Sequence, residues 1–329
     1  MSKILITGIT GFVGSHLAEY ILSLNGDYEI YGLSRWRSPK DNLEKVYKKV
    51  TILHGDLLDI SSLIQIFRQH DFKYVFHLAA QSHVGSSFST PSQTLETNII
   101  GTFNLLESMR LVGNTEAIIQ ICSSSSIHGD IDGEILENSS FKPTSPYAVS
   151  KIGADMIALQ YYLSYGMKTI RTRTFNHTGP RRGDIFVLSS FAKQIALLEI
   201  GEIKQIRHGN LSPYRTFLDV RDVVRAYWLL VNKCKPGEAY NIGSTESISV
   251  GDALETMKLL STIKDIKCVG DKTLLRPSDV SKQVPCMSKF CNETNWKPEI
   301  TFKQTCQDLL DYWRKEVRQN VHKRLTIGR

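Results

Sequence analysis

A chain of 329 residues, 41% hydrophobic and 22% charged, has the make-up of a folded globular protein and excludes a disordered or fibrous one. No apolar run approaches the roughly 20 residues that span a bilayer, so no membrane partner is expected. The formal charge of +7 suits an anionic ligand but is spread along the chain. Its densest stretch, around His322-Lys323-Arg324, reads as a solvated face, and with no zinc-finger or RNA-recognition pattern no nucleic-acid partner is expected.

Met1-Ser2-Lys3 leads straight into an apolar run with no signal-peptide layout, so the expected location is cytoplasmic. Cys122, Cys234, Cys268, Cys286, Cys291 and Cys306 form no CxxC pair and adjoin no histidine cluster. Free thiols, mostly buried, are expected, with no metal site and no disulfide framework.

The first half alternates short apolar runs with helical patterns, which predicts a parallel sheet covered by helices. Strands are predicted at 3–7, 28–33, 50–54, 74–78, 117–122 and 169–174, their continuous apolar character suiting a sheet buried on both faces. Amphipathic helices are predicted at 15–24, closed by Asn25-Gly26, and at 61–70, with Asp59 as cap. After residue 175 a polar, turn-rich stretch, Thr178-Gly179-Pro180-Arg181-Arg182-Gly183, leads to a helix over 191–199, a strand over 214–220 and a helix over 222–232. Two short helices with capping-box starts, Ser249-x-x-Asp252 and Thr301-x-x-Gln304, are predicted near the end. The fold class is α/β: a Rossmann-type doubly wound parallel sheet with a smaller α/β C-terminal substrate lobe. Residues 1–175 make the nucleotide domain and 214–242 return to it, while 176–213 and 243–329 make the lobe.

Thr7-Gly8-Ile9-Thr10-Gly11-Phe12-Val13-Gly14 lies between the first strand and the first helix. In that setting Gly8, Gly11 and Gly14 let the backbone approach a pyrophosphate, and Thr10, Phe12 and Val13 bring it to the amides of a helix N-terminus. The spacing is GxxGxxG, not the GxGxxG of the usual dinucleotide fingerprint. After the second strand, where a carboxylate would bind ribose hydroxyls, stand Ser34-Arg35-Trp36-Arg37. A hydroxyl and two guanidinium groups match a 2′-phosphate, so NADP(H) is expected over NAD(H). Asp56 and Leu57, after the third strand, are placed to meet adenine.

Ser145-Pro146-Tyr147 reads as a helix start, with Ser145 at the N-cap and Pro146 in the first turn. Tyr147 and Lys151 then share one helical face. A phenol ionises near pH 10 in water; an ammonium group and a cationic nicotinamide ring beside it would stabilise the phenolate and fit it for proton transfer. The fifth strand ends in Cys122-Ser123-Ser124-Ser125-Ser126, one of whose hydroxyls can bond the substrate oxygen that gains or loses a proton.

Through the segments TGITGFVGSHLAEY, HLAAQSHV, TNIIGT, SPYAVSK, FNHTGPRRGDIFV, GNLSPYRTFLDVRDVVRAY and LRPSDV, nearly the whole chain resembles the extended short-chain dehydrogenase/reductases. Within them it resembles the branch of GDP-mannose 4,6-dehydratases and GDP-6-deoxy-4-keto-mannose reductases. The resemblance implies a catalytic triad of Ser124, Tyr147 and Lys151. It puts Leu78, Ala79, Ala80, Gln81 and Asn98 on the middle of the cofactor, together with Tyr147 and Lys151. It also implies a GDP-sugar substrate held by Ser82, His83, Ser125, Ser126, Asn176, Arg181, Val187, Asn210, Arg215 and Arg276, and a homodimer or homotetramer. Arginines pair well with a diphosphate, and asparagines with a base or sugar hydroxyl. Dehydratases of this branch carry Glu two positions after the catalytic Ser/Thr, where it takes the C5 proton; here that position is Ser126, and His128 replaces the aromatic residue before Gly129. Serine is no comparable base. The expected function is NADP(H)-dependent hydride transfer at C4 of a GDP-linked sugar, as 4-keto reductase or 4-dehydrogenase. The alternatives are a 4,6-dehydratase whose acid/base has moved to His128, a C4 epimerase, and a cofactor-binding regulator without turnover.

Overall fold

Six strands form where the apolar runs predict them: β1 (Ser2–Thr7), β2 (Tyr28–Ser34), β3 (Thr51–His54), β4 (Tyr74–His77), β5 (Ile118–Cys122) and β6 (Thr169–Thr174). The computed structural model describes residues 1–327 and the side chains of 1–319 and 321, so the side chains of His322-Lys323-Arg324 lie outside the described residues. Short strands follow: β7 (His177–Thr178), β8 (Ile206–His208), β9 (Tyr214–Thr216), β10 (Leu218–Asp219), β11 (Ala239–Ile242), β12 (Ser247–Ser249) and β13 (Cys268–Gly270). The helices are α1 (Phe12–Ser23), α2 (Ile60–Gln69), α3 (Val84–Ser89), α4 (Pro91–Leu95), α5 (Gly101–Leu111), α6 (Pro146–Tyr165), α7 (Val187–Glu199), α8 (Val220–Lys233), α9 (Val250–Leu259), α10 (Ser288–Thr294) and α11 (Phe302–Ile327).

The main sheet has seven strands in the order β11-β6-β5-β4-β1-β2-β3, every pair parallel. Successive side chains leave a strand on opposite faces. Ile4 and Ile6 therefore join Leu17 and Ile21 of α1 and Tyr227 and Leu230 of α8 in one core, while Leu5 joins Leu63, Leu105 and Tyr161 of α2, α5 and α6 in the other. The strand order reverses between β1 and β4, which opens the crevice where a doubly wound sheet takes a dinucleotide.

A third core, with Phe191 and Ile195 of α7, Leu254 and Met257 of α9, and Leu309 and Leu310 of α11, makes the lobe. Asp219 and Asp222 tie it to the sheet: Asp219 accepts from Thr305 Oγ1 at 2.8 Å, and Asp222 accepts from the Glu299 and Ile300 amides at 3.0 Å. Among the described residues no helix is long and apolar enough to cross a membrane.

Four expectations change. Residues 214–220 are two strands, because β9 pairs antiparallel with β12 while β10 pairs parallel with β7, and Phe217 between them is buried in the lobe core. The last helix is not short: α11 runs for 26 residues, held along α7 by Leu309, Leu310 and Val317. Not all of 243–329 is lobe, since Met287, Phe290 and Trp296, around α10, pack into the α1/α8 core. The six cysteines are free, but Cys234 and Cys306 alone are buried and the other four are half-exposed.

Candidate active site

The chain leaves β1 through Gly8, whose φ of +70° is one that residues with a Cβ rarely adopt. A Cβ on Gly14 would fall inside contact distance of the Gly8 carbonyl oxygen, which also accepts from the Gly11 amide at 2.9 Å. Gly11, the N-cap of α1, has no side chain to engage the first-turn amides, Phe12 and Val13 among them, which are left to an outside acceptor. The Phe12 ring itself packs between His177 and Arg182. The Thr10 carbonyl is steadied by Asn42 Nδ2 at 3.0 Å, a contact the sequence gives no sign of. Beyond the buried Ser34, on the neighbouring strand, Arg35 and Arg37 are exposed, and Arg37 stacks 4.3 Å from the centroid of the Trp36 ring. A loop too tight for a side chain, an uncapped helix start and two free guanidinium groups fit a dinucleotide with a 2′-phosphate. Asp56 Oδ1 accepts from the Leu58 amide at 3.0 Å. The Leu57 side chain packs in the α2/α5 core and its carbonyl accepts from Asn104.

Next to this loop Thr7 Oγ1 accepts from the amides of Leu78 and Ala79, both at 3.1 Å, so its own proton goes to His77 Nδ1 at 2.9 Å. The other ring nitrogen is then the donor, to Thr102 Oγ1 at 3.1 Å, and Thr102 donates to the Asn98 carbonyl at 2.6 Å. Burial, with Lys151 nearby, pushes His77 down to about 3, so the ring is neutral at physiological pH. Asn98 stands in a π-helical turn (Glu96–Ile100), a rare geometry frequent at functional sites. Its Oδ1 accepts from the Gln81 amide at 2.8 Å, and its Nδ2 donates to the Gln81 carbonyl at 3.0 Å and to Ser150 Oγ at 2.8 Å. Ser150 donates on to the Tyr147 carbonyl at 2.7 Å. A continuous hydrogen-bond chain thus joins the glycine turn, the 78–81 loop with Ala80, and α6. Ser82, the next residue, is exposed.

Helix α6 starts as the sequence predicts, with Ser145 Oγ accepting from the Ala148 amide at 3.1 Å. Tyr147 is 9% exposed. Lys151 Nζ lies 5.9 Å from the Tyr147 ring centroid and donates to the Cys122 carbonyl at 2.7 Å, which fixes it between α6 and the end of β5. Ser124 caps the short turn Ser125–His128, its Oγ accepting from the Ser126 amide at 3.2 Å and from the Ser126 hydroxyl at 2.9 Å. Ser125 is tied elsewhere in this structure. It is buried and donates to Gln283 Oε1 at 3.1 Å, while Gln283 Nε2 returns a bond to the Ser125 carbonyl at 3.0 Å, so its hydroxyl is a structural tie to the 280s segment. His128 is fully buried, donates from Nδ1 to the Ser140 carbonyl at 3.2 Å and rests on Phe141; burial holds its pKa below the ordinary value. It packs the turn and is no substitute acid/base.

Across the cleft, Arg181 has a φ of +71° and points back to α1, pairing with Glu19 at 2.6 Å and donating to Ser15 Oγ at 3.1 Å. Its neighbour Arg182 takes the opposite course, its guanidinium 3.4 Å from the Phe186 ring centroid. Burial pushes Arg182 down to about 10, with the Tyr147 phenol acting the other way. His83 caps α3, accepting from the Ser86 amide at 3.1 Å; burial, Arg276 and Arg182 hold its pKa below the ordinary value. Arg276 is exposed and acts also on Arg215, which is tied to Asp279 at 2.9 Å and to the Val280 carbonyl at 2.6 Å. Arg182 and Arg276 thus add positive charge beside His83. Asn176 holds the Leu218 amide through its carbonyl, Val187 opens α7 at the surface, and exposed Asn210 caps the Ser212 amide at 3.1 Å.

The sequence pattern of the family described as GDP-mannose 4,6 dehydratase matches residues 5–309. A GDP-6-deoxy-D-mannose reductase from Pseudomonas aeruginosa is 30% identical over 325 residues, covering 96% of this chain and 99% of the relative. A GDP-mannose 4,6-dehydratase from Vibrio cholerae is 32% identical, covering 94% and 92%. The solved structure of RMD from Pseudomonas aeruginosa complexed with NADPH superposes with a TM-score of 0.83 at 29% identity, covering 96% of this chain and 100% of that one. With a glycine turn at the end of β1 in a doubly wound parallel sheet, the chain belongs to the GDP-mannose 4,6-dehydratase family of extended short-chain dehydrogenase/reductases.

Proposed function

We propose that the protein catalyses hydride transfer between NADP(H) and C4 of a GDP-linked sugar, working as a reductase of the 4-keto-6-deoxy sugar. What supports the reading is Lys151 standing between Tyr147 and the end of β5 that leads to Ser124, with Ser126 at the position where the resemblance places a dehydratase's glutamate. The Pseudomonas aeruginosa reductase and its NADPH complex support it. The first-turn amides of α1 would hold the pyrophosphate, Arg35 and Arg37 the 2′-phosphate, and Lys151 the ribose next to the nicotinamide, which supplies the hydride when the cofactor is bound. Tyr147 gives its proton to the C4 oxygen. Ser124 donates a hydrogen bond to the same oxygen, and the Lys151 ammonium stabilises the phenolate left behind. Arg182, Arg215 and Arg276 take the diphosphate. Six free thiols fit work in a reducing cytoplasm, and the resemblance implies a homodimer or homotetramer.

Dehydration of GDP-mannose is the second reading, favoured by the family description and the Vibrio cholerae relative. It lacks its base here: Ser126 is bonded to Ser124, and His128 is buried on Ser140. Mass spectrometry of GDP-mannose incubated with the protein and NADP⁺ separates the two. Unchanged GDP-mannose, together with NADPH consumption on the 4-keto-6-deoxy sugar, is the expected result; loss of one water from GDP-mannose would establish the dehydratase.

A further inference from the structure

Both donors of Ser126, its amide and its hydroxyl, end on the same atom, Ser124 Oγ, at 3.2 and 2.9 Å. A hydroxyl oxygen has two acceptor sites and one proton. With both acceptor sites filled from inside the protein, Ser124 has only its proton to offer a ligand. The amide bond alone suffices to cap the turn, as an N-cap serine ordinarily does; the hydroxyl bond adds nothing to the cap and acts on the proton's direction. Ser124 is 8% exposed and Ser126 half-buried, so little water competes for these bonds.

We propose that Ser126 is a positioning residue that makes Ser124 a dedicated hydrogen-bond donor toward the reacting oxygen. Negative charge builds on a ketone oxygen as hydride reaches its carbon, and a donor already aimed there need not reorient during the reaction. A serine free to rotate would divide its time between donating and accepting. Ser126 acts through Ser124 and needs no substrate contact of its own. The inference rests on the ketone-reductase reading and deepens it.

The test is the single-turnover rate of NADPH oxidation with GDP-4-keto-6-deoxy-mannose, for the wild type and for Ser126→Ala, Ser126→Thr and Ser126→Glu, with melting temperature and NADPH affinity measured alongside. Ser126→Ala is expected to slow turnover about tenfold, with the half-saturating sugar concentration within about twofold of wild type. Melting temperature and NADPH affinity stay unchanged. Ser126→Thr keeps the hydroxyl and restores the rate. Ser126→Glu, whose carboxylate can only accept, turns the Ser124 proton inward and is slower than Ser126→Ala. Should Ser126→Ala fail to fold, the ratio of the Thr and Glu variants reads the same property. An active wild type with an equally fast Ser126→Ala, or a Thr variant as slow as the Ala variant, overturns this inference and leaves the reductase standing. A wild type that consumes no NADPH on the ketone overturns the reductase reading and the inference with it.

Discussion

Tyr147 is the proposed proton donor, with Ser124 accepting from Ser126 and holding its own proton toward the reacting oxygen, and Lys151 held on the Cys122 carbonyl. Tyr147→Phe keeps the ring and removes the proton, so turnover of the ketone falls by about 10²–10⁴ while NADPH still binds; an undiminished rate would take Tyr147 out of the chemistry. Arg35 and Arg37 are exposed after β2, where a 2′-phosphate is proposed to sit. Replacing both with alanine raises KM for NADPH by about 10–100-fold, the worth of one or two charge-assisted hydrogen bonds, and barely moves KM for NADH. A matching rise for both cofactors would show that the arginines hold something the cofactors share. The candidate triad and glycine turn could be proposed from the sequence because each chemistry demands its residue types at a set spacing on a strand–turn–helix. Arg181 and Arg182 were not separable, being identical neighbours. In the fold Arg181, at positive φ, pairs with Glu19, while Arg182 packs on Phe12 and Phe186. Likewise nothing local in four consecutive serines says which one finds Gln283.

Among elements, β1 to β5 were legible as apolar runs bounded by turns, while β6, TIRTRT, has a single apolar residue among β-branched threonines. β8, β12 and β13 are three residues each and exist only through their partners, which no local pattern names. The His77 chain has the same character: HLAA marks a strand end, but the bonds to Thr7 and Thr102 are set by the sheet and α5. Thr102→Val leaves the His77 Nε2–H buried without its acceptor and costs about 1–3 kcal/mol of stability in denaturant unfolding. A neutral result would mean that the chain is not a brace. Asp155 on α6 accepts from Arg171 at 3.0 Å and from Arg173 at 3.1 and 3.2 Å, all three buried. Asp155→Ala would strand two buried guanidinium groups and lower stability by about 3–5 kcal/mol; a loss below about 1 kcal/mol would show that water takes the carboxylate's place.

Across the whole molecule, buried histidines couple the fold to pH. Burial, helped by neighbouring cations, pushes His16 and His177 down to about 4 and His77 to about 3. An unfolded chain protonates these rings near pH 6.5, so below that value the unfolded state binds protons that the fold refuses. Stability is therefore full above pH 6.5 and falls as pH drops toward 4, each histidine adding about 1.4 kcal/mol per pH unit to the slope. Unfolding free energies that stay level from pH 6.5 to 4.5 would mean that the rings reach water. The change of pattern after residue 175 is what the expected division into sheet and lobe rests on. The return of α10 to the first core was not, because Phe290 and Trp296 are apolar in either setting. One measurement tests the proposed chemistry most directly: reduction of GDP-4-keto-6-deoxy-mannose with NADPH deuterated at nicotinamide C4, the label located in the product by NMR. Deuterium on sugar C4, with one NADPH consumed per product, is the predicted result. Label elsewhere in the product, or unlabelled ketone returned with NADPH intact, would contradict it.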